Sequence, residues 1–118
     1  MQLIPDTNFL IYLAKFRLLD ELEHYELVMP RRVVEELLFL TKDKDTSVED
    51  RAGATIALRY LKTKSQKMVR ARGRTDDIII ELAKKHKITI ATMDKELSGR
   101  AKKQGIKIIK IRQKKYLR

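Results

Sequence analysis

Short apolar runs and stretches of helical period take turns along this chain. QLIP (2–5) predicts a short buried strand. DTNFLIYLAKFRLL (6–19) predicts a helix, with Phe9, Leu10, Leu13 and Phe16 or Arg17 recurring behind a polar start. YELVMP (25–30) predicts a second strand, stopped by Pro30, and RRVVEELLFLTK (31–42) a second helix. KDKDTS (42–47) reads as a loop whose Ser47 caps a third helix, VEDRAGATIALRYLKT (48–63). QKMVR (66–70) has the length of a strand. Thr75 stands as the cap of DDIIIELAKKHK (76–87), and the β-branched ITIAT (88–92) follows as a strand. DKELSGRAKKQG (94–105) predicts a helix closed near Gly105, and IKIIKI (106–111) a final strand. Strands alternating with helices predict a three-layer α/β domain with a mainly parallel, five-stranded sheet. No repeat or linker interrupts the pattern, so one domain over 1–112 and a basic tail over 113–118 are expected.

In such sheets, ligands bind outside the carboxyl ends of the strands, at the switch point of the topology. Asp6, Thr7 and Asn8 follow the first strand; Thr92 and Asp94 follow the fourth. Each acid alone is an ordinary helix cap. As a pair, after two different strands, they suggest a site. In the fourth helix, Ile79, Ile80 and Ala83 define an inward face, and Asp76 lies on it. Asp77 aligns with Glu81 and Lys84, which face out, and reads as a surface or supporting acid. In the second helix, Glu36 lies beside the edge made by Val33, Leu37 and Leu40, whereas Glu35 points toward solvent. Carboxylates brought together without His or Cys repel one another unless a cation offsets them. Mg²⁺ and Mn²⁺ favour such oxygen ligands. Held there, they can activate water and steady the leaving oxygen of a phosphodiester.

Charge adds the partner. Lys and Arg total 27 against 16 Asp and Glu, a formal net charge of +11, which suggests a polyanion. KTKSQKMVRARGR (62–74) has six basic residues and no acid, and 100–118 has nine and no acid, so the charge is grouped rather than spread. Lys67, Arg70, Arg72 and Arg74 from the first run, and Arg100, Lys102 and Lys103 from the second, are the candidate RNA contacts. A solvated basic surface is the bland alternative. With no cysteine there is no disulfide framework and no thiolate metal site, and His24 and His86 show no ligand spacing. No apolar run approaches the roughly 18 residues of a membrane span. The first residues lack the basic start and cleavage site of a signal peptide. A cytoplasmic protein with no membrane partner is expected.

DTNFL (6–10), VVEEL (33–37), TDDIIIELA (75–83) and ATMDKEL (91–97) together resemble the PIN-domain family of ribonucleases, in the family's order. The stretch 74–97 is most similar to the branch that includes the eukaryotic small-subunit rRNA-processing endonuclease and its archaeal relatives. It is less similar to the VapC toxins of toxin–antitoxin pairs. The resemblance implies a Rossmann-like sheet of strand order 3-2-1-4-5 and Mg²⁺- or Mn²⁺-dependent endoribonuclease activity. It places catalysis on Asp6, Glu36, Asp76 and Asp94, with metal on Asp6, Asp76 and Asp94. Asn8 would orient Asp6 or a water on the metal, Thr92 would give polar support, and Glu96 stands where many members carry another acid. The motif alone does not separate Asp76 from Asp77 or Glu35 from Glu36. The implied partners are RNA, a ribosomal precursor particle or an antitoxin, and a second copy of the chain. The ribosomal nucleases often carry zinc ribbons, which this cysteine-free chain lacks. Aromatic residues for base stacking are few, with Tyr116 the candidate, so substrate choice falls to the basic runs or to a partner.

Two other classes compete. A non-cutting RNA scaffold would have no need to hold repelling carboxylates together. A phospho-accepting receiver domain would need paired acids after the first strand and an Asp after the third; PDTN supplies one acid and QKMVRARG none.

Overall fold

The computed structural model describes residues 1–112, 116 and 117. Five strands form one sheet: β1 (Gln2–Pro5), β2 (Glu26–Pro30), β3 (Gln66–Val69), β4 (Thr89–Ala91) and β5 (Ile108–Ile109). Their order is β3-β2-β1-β4-β5, and every pairing is parallel. The helices are α1 (Thr7–Lys15), α2 (Arg31–Leu40), α3 (Val48–Thr63), α4 (Thr75–His86) and α5 (Lys95–Lys103). α1, α2 and α3 pack on one another, and α4 packs on α5. Right-handed crossovers set these two groups on opposite faces of the sheet, giving the three-layer α/β/α fold of order 3-2-1-4-5. β1 and β4 are buried along nearly their whole length, as strands covered on both faces must be. Leu3, Ile4, Leu27, Met29 and Ile90 from the sheet meet Phe9, Leu13, Leu37, Ile79 and Leu97 from the helices in one core. Among the described residues, no helix is long and apolar enough to cross a membrane.

Both inner strands of the left half end in proline, and helices follow at once. Pro30 leads directly into α2, with no loop between. Ser47 caps α3 as expected, accepting from the Asp50 amide at 3.1 Å.

Three expectations are corrected. The helix predicted over 6–19 ends at Lys15, because Arg17 turns left-handed (φ 57°) and the Leu18 amide donates back to the Leu13 carbonyl at 2.8 Å. A 3₁₀ turn, Leu19–His24, occupies the remainder. Thr75 is not the cap of α4: Arg74 holds that place without a side-chain bond, and the Thr75 hydroxyl is spent elsewhere. The last strand is not continuous over 106–111. β5 closes the main sheet, whereas β6 (Ile111–Arg112) pairs antiparallel with β7 (Tyr116–Leu117). The tail expected over 113–118 thus contains β7, and 113–115 and 118 lie outside the described residues.

Candidate functional site

β1 and β4 lie side by side in register, Pro5 opposite Ala91, so the residues that follow them emerge together. The Asp6 amide donates to the Ala91 carbonyl at 3.0 Å, extending the pairing by one residue. Asp6 then caps α1, one carboxylate oxygen accepting from the Phe9 amide at 2.8 Å. Its other oxygen accepts a short hydrogen bond from the Thr92 hydroxyl. Thr92 is fully buried, and its oxygen also accepts from the Asp94 amide at 3.0 Å. Asp94 in turn caps α5 through the Leu97 amide at 2.9 Å. One hydroxyl therefore ties the two strand-end acids to each other.

Glu36 approaches from α2 and is braced on both oxygens. The Thr7 hydroxyl donates to one at 2.5 Å and the Thr75 hydroxyl to the other at 2.7 Å. Asp76, half-buried on the first turn of α4, stands next to Thr75. Glu36, Thr75, Asp76, Asp77 and Glu96 line one cleft of about 360 Å³, rimmed by Arg32, Arg74 and Arg100. A larger hollow of about 610 Å³, between α1 and α3 around Phe16 and Ile56, holds none of the carboxylates singled out above and lies away from the strand ends.

The acids feel one another. Burial pushes the Asp6 carboxyl up to about 6, against the pull of its bonds from Thr92 and the Phe9 amide; the charges of Asp76 and Asp94 push it further. Burial also raises Asp76, followed by the charge of Asp94; Arg100 partly offsets this, and Glu36 and Glu96 add to it. The donor set is all oxygen and mutually repulsive, which fits a hard divalent cation. Among the described residues, no three Asp, Glu or His side chains close into a ready-made metal site.

The doublets divide by geometry. Asp77 is exposed and pairs with Arg100 at 2.7 Å. Glu35 is exposed and pairs with Arg31, one turn back, at 3.7 Å. Glu96 is exposed on the cleft wall, and Asn8 is exposed on the first turn of α1. Arg74 and Arg100 reach the cleft; Lys67, Arg70 and Arg72 are exposed beside it on β3 and the loop after it; Lys102 and Lys103 are exposed at the far end of α5. Three contributors escaped the sequence reading: Thr7 and Thr75 as holders of Glu36, and Arg32 as a rim cation. The pattern RR at the start of α2 and the threonines beside Asp6 and Asp76 were visible signals, but only the fold shows what each reaches.

With the geometry in place, the chain can be compared with known proteins. A family model described as a PIN-like domain matches residues 3–114. The chain is similar to a ribonuclease VapC4 of Methanocaldococcus jannaschii, 32% identical over 124 residues that cover 98% of this chain and 93% of that protein. It is also similar in fold to a solved domain of a functionally unknown protein from Methanocaldococcus jannaschii. That match has a TM-score of 0.64 at 19% identity and covers 94% of this chain and 91% of that one. The rRNA-processing branch gains no support from these matches.

Proposed function

The chain belongs to the PIN-like domain family, and from that premise we propose that it is a divalent-metal-dependent endoribonuclease of the VapC type. The observation that carries the reading is the meeting of acids from four elements. Asp6 and Asp94 are tied through Thr92, while Glu36 and Asp76 stand beside Thr75, all at the carboxyl end of the sheet in a chain of net charge +11. The name of its 32% identical relative, a ribonuclease, supports RNA as the substrate.

Asp6, Asp76 and Asp94 would hold Mg²⁺ or Mn²⁺, with Glu36 directly or one water away; Asn8 and Glu96 are supporting candidates. When bound, such an ion lowers the pKa of its water and neutralises charge on the phosphate. The chain itself does the rest. Thr92 fixes the rotamer of Asp6, and Thr7 and Thr75 fix that of Glu36. Arg32, Arg74 and Arg100 surround the acids with positive charge, so a phosphodiester can approach a negative cleft. An antitoxin is the protein partner this reading implies. Processing of ribosomal RNA is the second reading, favoured by the stretch 74–97.

The test is cleavage of a labelled, structured RNA by wild type and Asp6→Asn, with Mn²⁺, Mg²⁺ or EDTA. Metal-dependent cutting that disappears in Asp6→Asn is expected. Binding without cutting under every condition would move the protein to the scaffold class.

A further inference from the structure

Beside the acidic cleft lies a second hollow, of about 540 Å³, lined by Arg31, Arg32, Glu35, Arg70, Ala71 and Arg72. Arg32 lines both, so the two are continuous. Its walls come from the first turn of α2 and from the loop between β3 and α4. Only Arg31 spends its charge, on Glu35; among the described residues no carboxylate pairs with Arg32, Arg70 or Arg72.

The choice of cation is selective. Lysines outnumber arginines in the chain, and the basic run 62–74 begins with Lys62, Lys64 and Lys67. It changes to Arg70, Arg72 and Arg74 where it reaches the two hollows, and no lysine lines either one. A merely solvated surface has no reason to make that change. Arginine presents a planar fork of donors that grips phosphate oxygens in pairs, which an ammonium cannot do. Cations held together without counter-charges repel one another, and an incoming anion relieves that repulsion.

We propose that the Arg31–Arg32–Arg70–Arg72 hollow is a subsite for a phosphate of the RNA chain adjacent to the one at the acidic cleft. Arg32 spans the boundary between the two phosphates. The subsite depends on the nuclease reading only for what happens next door; the binding itself stands apart from cutting.

The test therefore measures binding alone. Anisotropy of a labelled, short single-stranded RNA is followed in an Asp6→Asn background with EDTA, over a range of salt. Arg70→Ala/Arg72→Ala should raise Kd on the order of tenfold and make the slope of log K against log salt shallower by about 1.4, roughly 0.7 for each lost phosphate contact. Arg70→Lys/Arg72→Lys should keep the slope and still lose affinity, because the fork is gone. Lys42→Ala/Lys44→Ala is the charge-matched control. An alanine pair that matches this control in Kd and slope overturns the subsite, as does displacement of the RNA by polyglutamate at equal charge. If wild type cuts no RNA while the binding loss appears, the nuclease reading fails and the subsite stands. Cutting with unchanged binding in the alanine pair gives the reverse.

Discussion

Asp6 concentrates the tension between stability and chemistry. Its carboxyl is raised from 3.8 to about 6, so the folded chain holds that proton more tightly than the unfolded chain. Between those values the native state binds more protons, so stability falls as pH rises, and the ionised group costs up to about 3 kcal/mol above pH 6. Asp6→Asn should therefore raise Tm at pH 7 to 8 while abolishing cutting, with little change in Tm near pH 4; a scan of Tm against pH checks the sign. Activity should climb with pH through about 6, as Asp6 ionises. Thr75→Ala should leave the fold intact but free one oxygen of Glu36, costing about 10- to 100-fold in metal affinity or turnover, read by metal titration of the rate. Of these residues the sequence shows Asp6 and Asp94 plainly, because an acid directly after a strand in an alternating pattern has few places to be. The hydroxyls are different. Thr92 and Asp6 are 86 residues apart, and nothing local announces a bond between them.

At the level of elements, three helices end in one way. After α1, α4 and α5 a left-handed residue is followed by an apolar one: Arg17–Leu18, Lys87–Ile88 and Gly105–Ile106. The amide of the apolar residue donates back to Leu13, Ala83 and Ala101 respectively, at 2.8 to 3.0 Å. Only Gly105 adopts this conformation without strain, and it was the one ending the sequence marked correctly. Arg17 hid the end of α1 because an arginine there looks like more helix. Lys87→Gly should relieve the strain, and after the added flexibility of the unfolded chain stabilise by about 0.5–1 kcal/mol in urea unfolding. The same local logic explains why IKIIKI was read as one strand. Its composition suits a strand throughout, and only the limited pairing available beside β4 divides it into β5 and β6.

For the molecule as a whole, the +11 charge works against folding and for binding. Like charges on a compact body repel, and salt screens them. Added monovalent salt should therefore raise Tm while it weakens RNA binding, and the two responses should be opposite in sign when measured on the same preparation. The order of strands was carried by the alternation of elements and by resemblance, not by any single segment. The direct passage from Pro30 into α2 has a further consequence. With no loop to absorb a slip, Val33 and Leu37 in the core and Glu36 at the cleft share one register. A shift of one residue would drive Arg32 and Glu36 into the interior in their place, at several kcal/mol each. An alanine inserted after Pro30 should thus yield an unfolded chain, by circular dichroism, rather than a folded but inactive one. Folding itself proofreads the placement of the carboxylate: a copy that carries it wrongly never reaches the native state to act.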